Sequence, residues 1–154
     1  MAVIAHTEMK ATLPAGARLL GLDVGDKTVG LAISDSNLAV ASPIETIRRG
    51  KFAADAAHLL RLIDERGVGG LIIGLPVNMD GGEGPRCQSV RQFARNLLAL
   101  RDLPIAFWDE RLSTAAVERA MIEADLSRQR RAKSVDMAAA AYILQGAIDA
   151  ITHG

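Results

Sequence analysis

The chain switches between two hydrophobic rhythms, and the switch points divide it into strands and helices. Arg18 to Val24 is apolar enough for a central strand. Gly25-Asp26-Lys27 supplies a turn, and Val29 to Ser34 returns as a hairpin partner. Leu38 to Ile47 predicts a third strand, which Pro43 restricts to an edge or a bend. From Phe52 the period lengthens: Phe52, Ala56, Leu59, Leu60 and Ile63 share one helical face, and Gly67 ends it. Leu71-Ile72-Ile73 predicts a short buried strand, followed by a Gly-rich loop from Gly74 to Gly84. Pro85 opens a helix carrying Val90, Phe93, Ala94 and Leu97, and Pro104 to Trp108 predicts a fifth strand. Ser113 or Thr114 caps a helix with Val117, Ala120, Met121 and Ala124; Ser134 caps a last helix running towards Ile151. Three consecutive strands and then helix–strand crossovers predict an α/β fold, a mixed five-stranded sheet with helices on both faces. Residues 18–154 read as a single domain and residues 1–17 as a flexible leader without a signal peptide's apolar stretch.

Composition narrows the setting. At 154 residues and 49% hydrophobic the chain supports one real core. Lone Cys87 excludes an intrachain disulfide and a Cys-based zinc site, and points to a reduced, cytoplasmic compartment. No apolar stretch approaches the ~20 residues that span a bilayer, so no membrane partner is expected. Net charge is +0, yet cations cluster locally: Arg128, Arg130, Arg131 and Lys133 in one run, Arg48, Arg49 and Lys51 in another. Each cluster suits a polyanion or is a solvated face. Only 3% of residues are aromatic, which favours recognition of backbone and shape over base stacking.

The candidate chemistry lies in three acids at apolar elements. Asp23 closes the first strand, Glu110 follows the fifth, and Asp136 starts a helical stripe continued by Ala139, Ala140, Ile143 and Ala147. Carboxylates are rarely buried unless paired or metal-bound. Three brought together most simply hold a hard divalent cation, and the crevice beyond parallel strand ends is where ligands bind in such sheets. Asp136 read alone is equally a salt-bridged or capping residue; its two counterparts shift the reading towards a ligand. Metal-assisted phosphoester chemistry is the leading expectation. Lys27 and Arg111 are candidate phosphate clamps, although Arg111 could simply pair with Asp109, itself a candidate for orienting the site. Asn78, in the Gly-rich loop, could donate to a phosphate if that loop closes as a lid, or the loop is plain surface.

Four ordered motifs carry a resemblance: Gly21-Leu22-Asp23-Val24-Gly25-Asp26-Lys27-Thr28-Val29-Gly30; Gly74-Leu75-Pro76 through Met79-Asp80-Gly81; Asp109-Glu110-Arg111-Leu112-Ser113-Thr114; and Lys133-Ser134-Val135-Asp136 with Ala139-Ala140 and Ile143-Leu144. Over residues 18 to 151 the chain resembles the YqgF/RuvX family. That resemblance implies an RNase H-like fold related to Holliday-junction resolvases, and a nuclease that matures the 5′ end of pre-16S ribosomal RNA or resolves junctions in DNA recombination and repair. It implies Asp23, Glu110 and Asp136 as catalytic ligands of Mg²⁺, with Mn²⁺ as the substitute ion. Implied partners are pre-rRNA or branched DNA and ribosomal particles, bound by a monomer or weak homodimer. Lys27 stands where the family often has Arg, and would meet a phosphate as a point charge rather than a fork. Two rival classes remain at this stage: an actin-like ATPase, for which one domain is too little, and a nucleic-acid-binding module without chemistry, against which all three acids speak.

Overall fold

The computed structural model describes residues 3–112 and 128–153, with side chains described at 3–111 and 137–152. Five strands form one sheet: β1 (Arg18–Val24), β2 (Thr28–Ser34), β3 (Ala41–Arg48), β4 (Val68–Leu75) and β5 (Ile105–Asp109), in the order β3-β2-β1-β4-β5. β1 pairs antiparallel with β2 and parallel with β4, and β4 pairs parallel with β5. The parallel trio therefore ends at one common edge. Pro43 falls where expected: β3 is an edge strand, and its register slips between Leu31↔Glu45 and Ala32↔Pro43.

Among the described residues the helices are α1 (His6–Thr12), α2 (Phe52–Arg66), α3 (Pro85–Leu100) and α4 (Arg128–His153), with a 3-10 turn at Glu110–Leu112. α2 and α3 cover one sheet face with Leu59, Ile63, Val90, Phe93 and Leu97 against Leu20, Leu22, Leu71 and Ile73. α4 covers the other with Ala140, Ile143, Leu144 and Ala147 against Leu19, Ala32, Ile72 and Ala106. Here the approach is close. A Cβ on Gly21 would lie 2.8 Å from Leu144 Cβ and 3.0 Å from the Ala140 carbonyl oxygen. Glycine at that point lets α4 rest on the strand itself.

Three expectations need correction. Residues 3–17 are not loose: Met9 of α1 is fully buried in the α4-side core, and the Ile4 N–H donates to the Ile105 carbonyl at 2.8 Å beside a Val3↔Ile105 bridge. β4 runs from Val68, well before Leu71, because Gly69 and Gly70 extend along the strand against Ala17, Leu13 and Met9. α4 begins at Arg128, so Ser134 lies inside a helix and does not cap it. The run 128–133 contains good helix formers and no breaker. The helix expected after Ser113 or Thr114 lies outside the described residues.

Candidate active site

Strand alternation puts the two described acids on one face. Leu19, Gly21 and Asp23 alternate along β1 towards α4, and Ala106 and Trp108 do so along β5, with Glu110 next in the series. β4 lies between β1 and β5, so the two backbones are separated by two strand spacings, roughly 9.5 Å. The space over β4 is kept clear by Gly74. A Cβ there would meet Glu110 Oε1 at 2.8 Å, Glu110 Cγ at 3.0 Å and Ile143 Cδ1 at 2.5 Å. The Glu110 side chain reaches across this gap and hydrogen-bonds Asp23.

Burial pushes the Glu110 carboxyl up from 4.5 to about 8, helped by the Asp23 hydrogen bond and charge, while Arg86 pulls it partly back. Two carboxylates in one site cannot both ionise cheaply, which favours the protonated form of Glu110. Oxygen donors of this kind fit a divalent cation, which would do the proton's work with twice the charge. Among the described residues no group of three His, Cys, Asp or Glu could hold a metal ion. Asp136 lies on α4 one turn before Ala140, which abuts Gly21, but its side chain is outside the described residues. The side chains of Arg128, Arg130, Arg131 and Lys133, on the first turns of α4, are outside them too.

The turn after Asp23 is fixed from below. The Gly25 N–H donates to the Thr28 carbonyl at 2.8 Å, Arg49 Nη1 donates to the Gly25 carbonyl at 2.6 Å, and the Arg49 N–H donates to the Lys27 carbonyl at 2.8 Å. Lys27 itself is exposed at the tip. Arg49, expected in a basic cluster, is thus half-buried framework with its guanidinium 5.4 Å from the Phe93 ring centroid, whereas Arg48 and Lys51 are exposed.

Opposite lies the Gly-rich loop. Asn78 to Gly82 closes on itself through Asn78 N–H to the Gly82 carbonyl (2.9 Å) and Gly81 N–H to the Asn78 carbonyl (2.8 Å), with Gly81 at φ +90°. Asn78 and Met79 are exposed, Met79 at 90%. Arg111 pairs with Asp109 (Nη2 to Oδ2, 2.5 Å), and this guanidinium holds the Asp109 carboxyl below the usual carboxylate range. Sequence reasoning missed Gly74 and Arg86. The signal for both was positional: each borders a Gly-rich loop that must sit beyond a parallel strand end.

A mixed five-stranded sheet in this order, covered by helices on both faces, is the RNase H-like fold of the Holliday-junction resolvases. The chain matches Thermus thermophilus RuvC in complex with Holliday junction substrate (TM-score 0.56, 13% identity, 88% of this chain and 96% of that one). It also matches the yeast mitochondrial Holliday junction resolvase Ydc2 (TM-score 0.50, 13% identity, 96% and 86%). These likenesses concern the fold. Sequence goes further: the family profile "RuvX: Holliday junction resolvase" covers residues 17–150, and the chain belongs to that family. A relative from Paramagnetospirillum magneticum is 62% identical over 149 residues (97% of this chain, 96% of the other), and one from Ruegeria sp. is 58% identical over 149 (97% and 95%). Both bear the name "Putative pre-16S rRNA nuclease".

Proposed function

We propose that the protein is a Mg²⁺-dependent nuclease that hydrolyses phosphodiester bonds of structured nucleic acid, and that its task is 5′-end maturation of pre-16S ribosomal RNA in the cytoplasm. The observation that carries the chemistry is the Asp23–Glu110 pair, two carboxylates sharing a hydrogen bond at the common end of parallel strands. The names of relatives at 62% and 58% identity support the substrate. Cleavage of a DNA four-way junction is the second reading, favoured by the description of the matching family.

In this reading Asp23, Glu110 and Asp136 hold the metal, Mg²⁺ or Mn²⁺. The bound ion would lower the pKa of a water and offset charge on the phosphate under attack. Glu110 must release its proton before it can ligate, which couples metal affinity to pH. Lys27, from the turn pinned by Arg49, meets a phosphate as a point charge, and Asn78 donates from the loop across the crevice. Arg128, Arg130, Arg131 and Lys133 extend the contact along the sugar-phosphate backbone, with affinity falling as salt rises. Ribosomal particles are a partner in this role, and the working form is a monomer or weak homodimer.

The test compares cleavage of a pre-16S precursor and a synthetic four-way junction by wild type, Asp23→Asn and Asp136→Asn, with Mg²⁺ or with EDTA. We expect precursor cleavage by wild type with Mg²⁺ alone. Cleavage retained in Asp23→Asn would overturn the metal-site assignment, and junction cleavage without precursor cleavage would move the substrate to DNA.

A further inference from the structure

Arg111 follows Glu110 directly, and a cation so placed invites assignment as a phosphate contact. Its surroundings give it other work. Asp109 accepts from the Arg111 N–H (Oδ1, 2.9 Å), from Nε (Oδ1 at 3.1 Å, Oδ2 at 2.9 Å) and from Nη2 (Oδ2, 2.5 Å). Nη1 lies 3.4 Å from the carbonyl oxygens of both Asn78 and Met79. Arg111 therefore joins the end of β5 to the Gly-rich loop. We infer that Arg111 is a positioning residue: together with Asp109 it clasps the loop across the end of β5, fixing Glu110 between them and Asn78 opposite.

Two observations strengthen the case. The far end of the loop is moored to the same strand by a second arginine. Arg91 donates to both carboxylate oxygens of Glu83 (2.7 and 2.8 Å), with its guanidinium 4.8 Å from the Phe107 ring centroid. The loop is thus held at both ends, as a preset wall of the crevice. Charge balance points the same way. A substrate phosphate that captured Arg111 would also take from Asp109 the guanidinium that holds its carboxyl low.

The catalytic consequence rests on the nuclease reading, but the mooring is measurable on the protein without substrate. Hydrogen exchange of residues 76–84 is compared in wild type, Arg111→Gln, Arg111→Lys and Asp109→Asn. Loss of hydrogen bonds to a charged partner corresponds to about a tenfold faster opening or more. All three variants should show it, because lysine restores the charge but not the fork. In an Asp23→Asn background, the same Arg111 variants are titrated with the synthetic junction and the pre-16S fragment at several salt concentrations. A positioning residue leaves the slope of log affinity against log salt unchanged, whereas a phosphate clamp lost in Arg111→Gln flattens it by about one. An unloosened loop in Arg111→Gln overturns the assignment whatever the nucleic-acid result, and so does a flattened slope. Failure of wild type to cleave either nucleic acid would sink the nuclease reading and leave the exchange data to decide this one.

Discussion

The two faces of the sheet are packed by different rules. On the α2–α3 face the contacts are large: Leu59, Phe93 and Leu97 against Leu20, Leu71 and Ile73. On the α4 face small residues are set among large ones: Gly21, Gly74, Ala32, Ala106, Ala140 and Ala147 beside Leu19, Ile72, Ile143 and Leu144. Large side chains maximise apolar burial and hold the helices at a distance. Small ones give up burial and bring a helix against the strands, so its early turns reach the edge where Asp23 and Glu110 project. Both faces bury large side chains, and the glycines and alanines of the second also set its distances.

Breaking the first face should cost the most stability and the least chemistry. Leu59→Ala should destabilise by about 2–5 kcal/mol, as large-to-small core changes do, while the folded fraction keeps its specific activity. Denaturant unfolding and active-fraction assays measure the two separately. A proportional loss of specific activity would blur the distinction between the faces. On the second face, Gly74→Ala should cost about 1–3 kcal/mol through overpacking, and should abolish cleavage because its Cβ displaces the Glu110 carboxyl. Activity near wild type in that variant would show that Glu110 need not cross β4.

The pH effect is spread over a range rather than set by one substitution. Glu110 takes up its proton more readily folded than unfolded, so the folded protein binds more protons between about 4.5 and about 8. The contribution of Glu110 to the stability of the metal-free protein is then fully present below that window and is lost as pH rises through it. Thermal melts in EDTA should show this decline, and Glu110→Gln should flatten it. Added Mg²⁺ should stabilise wild type progressively more towards pH 8, since proton and cation compete for the same oxygens.

The strands and the placement of Asp23 and Glu110 were legible for one reason: each of these two acids closes or follows an apolar run, so strand ends and carboxylates coincide in the sequence. What escaped notice depended on partners far away in the chain. HTEMKAT shows little helical stripe of its own, and Met9 finds its place because Gly70, far along the chain, leaves a hollow for it. Gly74 read as the first residue of a loop, whereas its meaning comes from Glu110 and Ile143 passing overhead. Ser134 suggested a helix start, but helix-forming residues on both sides of it carry the helix through. Arg111 was open between two roles because spacing alone cannot say whether a guanidinium faces its neighbour or the solvent.

Val3 and Ile4 lie against Ile105, the first residue of β5, which is the last strand in the sheet order. An uncovered margin of this kind recruits strands from other molecules, the first step towards fibrils. Val3 and Ile4 thus act as a guard rail at the start of this strand, and removing them would bare the backbone of Ile105 to a neighbouring molecule.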